Sequence, residues 1–264
     1  MIDAKRKSAS GATLVRSLDK ALAALELLAD IEGDVDLGSL ATSAGLPKST
    51  LVRLLGTLRQ HNLVHQDPKT RRYRLGWALI YLGKAAERQS NLAQIMAPFL
   101  EQLANETGET ASLAMLHGHR AVYIAQILSK NIIRGVPPIG SDLQLHCTAV
   151  GKILLSDFPD EGLDQLIHQY GLPRMTENTI VNAAHLRREL AQIREKGSAL
   201  DNEEAEPGGR CIAAPIRDGK GHVIAALSIT GPTSRLTVEQ VDEYAGIVRS
   251  VADQASRSLS FSGD

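Results

Sequence analysis

Apolar positions along this chain recur with two different periods, and each change of period marks a boundary. Over residues 14–30, Leu18, Ala21, Leu22, Leu25 and Leu28 return at the three- and four-residue spacing of a helix with one apolar face. A shorter helix is predicted from Leu37, with Asp36 as its N-cap, Leu40 and Ala41 pointing inward, and Gly45 as the left-handed residue that ends it. Pro47 opens a third helix over 47–60, at a position where its missing N–H costs nothing. Leu51, Leu54, Leu55 and Leu58 form its apolar stripe, while Ser49, Arg53, Gly56 and Gln60 lie opposite, flanked by Thr50 and Thr57. After Asn62 the period falls to two. Residues 63–66 and 72–75 read as strands around the turn Asp67-Pro68-Lys69-Thr70, with Tyr73 and Leu75 on one side and Arg72 and Arg74 on the other.

Residues 76–89 return to helical spacing, so residues 76–90 are expected to be a stiff linker helix, suited to pairing with its copy in a dimer. A helix over 92–107 carries Pro98, where a kink is expected. Strand-like runs then come in pairs: 109–116 with 120–128 around His117-Gly118-His119, and 210–216 with 222–230 around Asp218-Gly219-Lys220-Gly221. Helical stretches at 148–155, 160–168 and 184–196 lie between the pairs, and a last helix opens on a capping box, Thr237 and Gln240. Hairpins with helices gathered elsewhere indicate an antiparallel sheet of the α+β class. The expected domains are a basic tail at 1–13, a first domain at 14–75, the linker at 76–90 and a second domain at 91–264.

Helix, glycine turn, helix and then a basic hairpin is the order of a winged helix-turn-helix. Taken alone, the 47–60 helix reads first as an amphipathic surface helix, and its setting reverses that preference in favour of a DNA groove. Ser49, Thr50, Arg53 and Thr57 are residue types that reach base edges, and Lys48, Lys69, Arg71, Arg72 and Arg74 suit phosphates. Charge agrees with this. Although the whole chain carries −1, residues 1–90 hold 14 basic and 9 acidic side chains, net +5, against a net −6 for the remainder.

The other chemistry is thin. No apolar run approaches a membrane span and the first residues lack a signal-peptide core, so a cytoplasmic protein is expected. Two cysteines, Cys147 and Cys211, imply no disulfide framework. Aromatic residues make up 3% of the chain, too few for stacking on single strands. Val150-Gly151-Lys152 resembles the end of a P-loop but lacks the earlier glycine and the magnesium-binding hydroxyl. His117 and His119 flank a turn without the spacing of a zinc site. The run Asp201-Asn202-Glu203-Glu204-Ala205-Glu206 offers carboxylates for acid–base work, yet no nucleophile, base and orienter set accompanies it. No catalytic residue, metal site or cofactor is therefore assigned, and an enzyme acting on a small carboxylate is the rival reading.

Six stretches, SLDKALAALELLA, GLPKSTLVRLLGTL, YRLG, LQLHCTAVGK, RCIAAPIRD and AALSITGPTSRLT, follow one another in an order and spacing that resemble the IclR family of bacterial transcriptional regulators. The resemblance implies a winged helix-turn-helix, a linker helix and a GAF-like effector-binding domain, assembled as dimers or dimers of dimers on a partly palindromic operator. It also implies an effector pocket lined by Leu143, Ala149, Val150, Asp201, Cys211, Ser228 and Thr230, with Asp201 on an acidic loop. The residues agree in type: helix N-terminal amides near Ala149 and Val150 attract a carboxylate, and Ser228 and Thr230, two apart on a strand, share a face. Ile132 would add an apolar wall. Gly209 and Thr230 depart from the family pattern and bear on the effector's size. The expectation is a repressor controlled by a small organic acid, with activation as the alternative.

Overall fold

The computed structural model describes residues 15–89 and 91–261; the basic tail expected at 1–13 lies outside them. The chain forms two compact units, Met1–Gln89 and Ser90–Asp264.

In the first unit, α1 (Arg16–Ala29), α2 (Leu37–Ala44) and α3 (Lys48–Gln60) pack around Ala24, Leu28, Leu40, Leu51, Leu55 and Leu58. The α2 start follows from its cap: Asp36 Oδ1 accepts from the amides of Gly38 at 2.8 Å and Ser39 at 3.0 Å. The Ser39 hydroxyl, donating to Asp36 Oδ2 at 2.7 Å, and then these backbone bonds hold the Asp36 carboxyl below its ordinary pKa. Gly45, at φ 62°, ends the helix as its sequence position requires. The apolar face expected on α1 is only partly covered. Ala21, Ala24 and Leu28 are buried, but Leu18 and Leu22 are exposed, because the α2–α3 pair covers a narrower stripe than the sequence offers.

Strands β1 (Val64–Gln66) and β2 (Tyr73–Leu75) form the hairpin, with His65 opposite Arg74. Asp67 Oδ1 closes its turn by accepting from the amides of Lys69 at 2.9 Å and Thr70 at 2.7 Å. Val35 pairs with Tyr73 and ties the α1–α2 loop to the hairpin. Helix α4 (Ala78–Gln89) follows Gly76, where an added Cβ would lie 2.0 Å from the Asn62 carbonyl oxygen. The chain can cross there only because that residue has no side chain.

The second unit is one six-stranded antiparallel sheet with helices on both faces. Its strands are β3 (Thr110–His117), β4 (Arg120–Ile127), β5 (Asp142–Gln144), β6 (Ala199–Asn202), β7 (Gly209–Arg217) and β8 (Val223–Pro232), in the order β5-β4-β3-β8-β7-β6. Two of these were not expected from the sequence: β5, three residues long after a Pro- and Gly-containing loop, and β6, which carries Asp201 on a paired edge strand rather than an acidic loop. Strand alternation separates two environments. On one face Leu113, Ile212, Ile216, Leu227 and Ile229 pack with α5 (Asn91–Thr107), in which Pro98 sits, and α9 (Val241–Phe261). The Thr237–Gln240 capping box is present, leading first into a 3-10 turn, Val238–Gln240. On the other face Ala114, Ala121, Tyr123, Ala213 and Ala226 pack with α6 (Ala149–Leu155) and α8 (Ala183–Lys196), beside α7 (Asp160–Tyr170).

Lys152 of α6 is fully buried. Its ammonium donates to Glu204 at 2.6 Å, to Glu189 at 3.1 Å and to the Leu200 carbonyl, using its three hydrogens. Removing the lysine would leave the buried Glu204 carboxylate without its counter-charge, a loss of roughly 3–5 kcal/mol.

Candidate nucleic-acid interface and ligand site

The stripe of Leu51, Leu55 and Leu58 turns α3 so that Lys48, Ser49, Arg53, Thr57 and Gln60 face solvent, with Thr50 half-buried at the margin. Arg53 donates to no protein group among the described residues, which leaves its planar fork available to a base edge. Thr57 bonds back to the Arg53 carbonyl at 3.3 Å, which directs its methyl outward. Arg59, on the same helix, reaches across to Gln66 Oε1 at 2.8 Å and braces the hairpin against α3. In the hairpin, Lys69, Arg71 and Arg72 are exposed; Arg71 takes the left-handed backbone, φ 59°, that completes the turn. Arg74 lies 3.8 Å from Asp34, so it shares its charge with an acid of this chain, which the sequence reading did not anticipate.

The second-unit residues assemble by register. Asp201 stands opposite Cys211, Cys211 opposite Thr230 and Thr230 opposite Thr110, one row across four strands. The next row on that face runs Ala199, Ala213, Ser228 and Ser112. Thr230 donates to the Cys211 sulfur at 3.2 Å and Ser228 to the Ser112 carbonyl at 3.4 Å. The buried hydroxyl of Tyr123 bonds the Thr230 side chain and is pushed well above the usual phenol range by burial. Burial pushes the thiols of Cys211 and Cys147 up to about 12, so both are neutral and unreactive. Burial likewise raises the Asp201 carboxyl to about 7, opposed by the Glu204 amide, which donates to Asp201 Oδ1 at 2.8 Å.

Helix α6 begins over this face. Thr148 Oγ1 caps the Gly151 amide at 3.1 Å, and the amides of Ala149 and Val150 are first-turn donors without intrahelical acceptors. An added Cβ at Gly151 would lie 2.5 Å from Leu145 Cα, so that glycine allows α6 to sit close on the preceding segment. Leu143 is half-buried in the same core on β5. Ile132 does not join it. Its side chain is 98% exposed on the loop between β4 and β5, where no strand or helix holds it against the sheet. Sequence reasoning missed Tyr123, Ser112 and the Lys152–Glu204 pair; the only available signal was a lysine set among the apolar residues of AVGKILL.

Comparison with known proteins decides the family. Residues 17–68 match the IclR helix-turn-helix domain and residues 84–257 match the bacterial transcriptional regulator IclR C-terminal domain. The chain belongs to the IclR family. It is 37% identical over 244 residues to the transcriptional repressor IclR of Escherichia coli K12, covering 92% of this chain and 89% of that one. The crystal structure of Thermotoga maritima IclR is 32% identical with a TM-score of 0.65, covering 93% of this chain and 99% of that one. That of an Alicyclobacillus acidocaldarius regulator is 28% identical with a TM-score of 0.77, covering 94% and 100%. As an IclR-family member this protein is a DNA-binding transcriptional regulator, its helix-turn-helix comprising α2 and α3. Among the described residues no helix is long and apolar enough to cross a membrane, and no three His, Cys, Asp or Glu residues are grouped to hold a metal ion.

Proposed function

We propose that this regulator is a cytoplasmic repressor of a catabolic operon and that a small organic acid, bound between the first turn of α6 and the β6-β7-β8 rows, sets its operator affinity. The observation that carries the reading is the row of buried Asp201 and Cys211 with half-buried Thr230. An aliphatic row would pack there at less cost, as it does on the opposite face, so the polar groups are matched to a ligand. The Ala149 and Val150 amides attract the carboxylate, Ser228 and Thr230 offer hydroxyls, and the Asp201 carboxyl donates a hydrogen bond in its protonated form, below about pH 7. Six antiparallel strands with helices on both faces suit a GAF-like sensor domain.

Recognition falls to Ser49, Thr50, Arg53 and Thr57, with Lys48, Lys69, Arg71, Arg72 and Arg74 on phosphates. A symmetric dimer, or a dimer of dimers, would place two such helices on half-sites roughly 34 Å apart or a multiple of it. Support for self-association comes from the first unit's exposed apolar residues, Val15, Leu18, Trp77, Ile80 and Tyr81. The acid acts through its differential affinity for DNA-competent and incompetent states, a coupling of about 1–3 kcal/mol.

Gel-shift titration of the protein's own promoter with short carboxylic acids tests this. One or more acids should change operator affinity by about 5- to 150-fold, and Asp201→Asn, Ser228→Ala and Thr230→Ala should each blunt that change while leaving ligand-free operator binding intact. Unchanged acid responses in all three variants would place the pocket elsewhere.

A further inference from the structure

A cavity of about 120 Å³ opens at the end of the sheet remote from the polar rows, where β3 turns into β4. Its polar lining is His119, Arg120, Gln144, His146 and Tyr170, with the backbone of Pro173 behind. None of these residues belongs to the site above. On β3, His117 at the turn lies seven positions on from Thr110 in the polar row, roughly 23 Å along the strand.

The donors and acceptors around this cavity are mismatched within the protein. The His146 side chain is 97% buried, and its Nε2 lies 2.9 Å from the Pro173 carbonyl oxygen, an acceptor only. That nitrogen therefore carries the proton, and burial, which lowers the ring's pKa, keeps it the only one. Nδ1 is left as a lone pair with no donor among the described residues. Arg120 uses Nε toward Asp142 at 3.5 Å, and its two terminal nitrogens donate to no described protein group. The Gln144 side-chain amide is likewise without a described partner. His119 and Tyr170 stack with ring centroids 3.7 Å apart and planes 4° from parallel, which gives the cavity a flat, stiff wall.

We propose that this cavity is a second ligand site, separate from the effector site, that takes a small oxyanion carrying a hydroxyl group: a hydrogen-phosphate ion or a short hydroxycarboxylate. The guanidinium binds the anionic oxygens, the hydroxyl donates to His146 Nδ1, and the Gln144 amide serves either end. The cavity is large enough to admit ions of this size. An apolar or purely cationic ligand would leave both the arginine and the imidazole unsatisfied.

Calorimetric titration of the full chain with sodium phosphate, sodium glycolate and sodium acetate, against sodium chloride at equal ionic strength, tests the site. Binding of phosphate, glycolate or both is expected, and the ion that binds identifies the source; acetate, without a hydroxyl, should bind about tenfold more weakly than glycolate. Arg120→Gln and Tyr170→Ala, both at partly exposed positions, should each weaken phosphate binding, and glycolate binding measured in the Ser228→Ala background, by about tenfold or more with an unchanged melting temperature, whereas Ser228→Ala alone should leave phosphate binding intact. The proposal is overturned if no ion binds beyond chloride, if acetate matches glycolate, or if Arg120→Gln binds as the parent does. A titration lost only in Ser228→Ala would also overturn it, because the ion would then occupy the effector site alone.

Discussion

Arg53 and Arg72 carry the same charge and are both exposed, yet the proposed reading gives them different work. It turns the α3 guanidinium toward base edges and the hairpin guanidinium toward phosphates. Arg53→Ala should therefore cost roughly 1–3 kcal/mol on the operator and relax base preference at one position. Arg72→Ala should weaken all duplexes alike and reduce the salt slope by about one. Salt-dependent gel shifts on the operator and on single-base variants check both, and identical behaviour of the two would refute the division. Asp201 offers a second residue-level outcome. Its carboxyl, raised to about 7 by burial, is neutral below that pH and ionised above it. Glu204, the Lys152 ammonium and the neutral Cys211 and Tyr123 surround it. An acidic effector should consequently bind more weakly as pH rises through about 7, and Asp201→Asn should flatten that dependence in calorimetric titrations. The same raised pKa means that the folded protein holds a proton the unfolded chain releases between pH 4 and 7, so Asp201 makes stability fall as pH rises across that interval. Ser228 and Thr230 were legible as a pair because strand alternation fixes their face. Tyr123 was not, because its role depends on a hydroxyl meeting Thr230 from another strand.

Among the elements, those with a chemical punctuation mark were legible in sequence. Asp36 and Gly45 bracket α2, Asp67 closes the hairpin turn, and Thr237 with Gln240 starts the last helical segment, each through local bonds that act within a few residues. Strands β5 and β6 lacked such marks. Each is an edge strand of three or four residues that exists because a neighbour offers a ladder, and the acidic composition after Ala199 disguised β6 as a loop. Two glycines test how far element junctions depend on space alone. An added methyl at Gly76 meets the Asn62 carbonyl, whereas at Gly83, inside α4, it meets nothing within 4 Å. Gly76→Ala should destabilise the first unit by roughly 1–3 kcal/mol, and Gly83→Ala should stabilise α4 by about 0.5–1 kcal/mol. Thermal melts followed by circular dichroism should show shifts of opposite sign, with operator affinity falling only in the first.

At the scale of the whole molecule, charge asymmetry was the most informative sequence signal. A net −1 conceals a basic first part and an acidic remainder, and the structure divides the chain between Gln89 and Ser90, beside that change of sign. Which apolar residues stay uncovered could not be read in advance, since Leu18 and Leu22 fit the same stripe as the buried Leu28. The second unit's sheet has a further consequence for descent with change. Its aliphatic side anchors α5 and α9, so substitutions there threaten folding itself; the opposite side carries short hydroxyl, thiol and carboxyl groups whose exchange leaves that anchor untouched. If the proposed effector site is right, lineages can change the acid they respond to by trading a few small side chains, while the framework stays as it was.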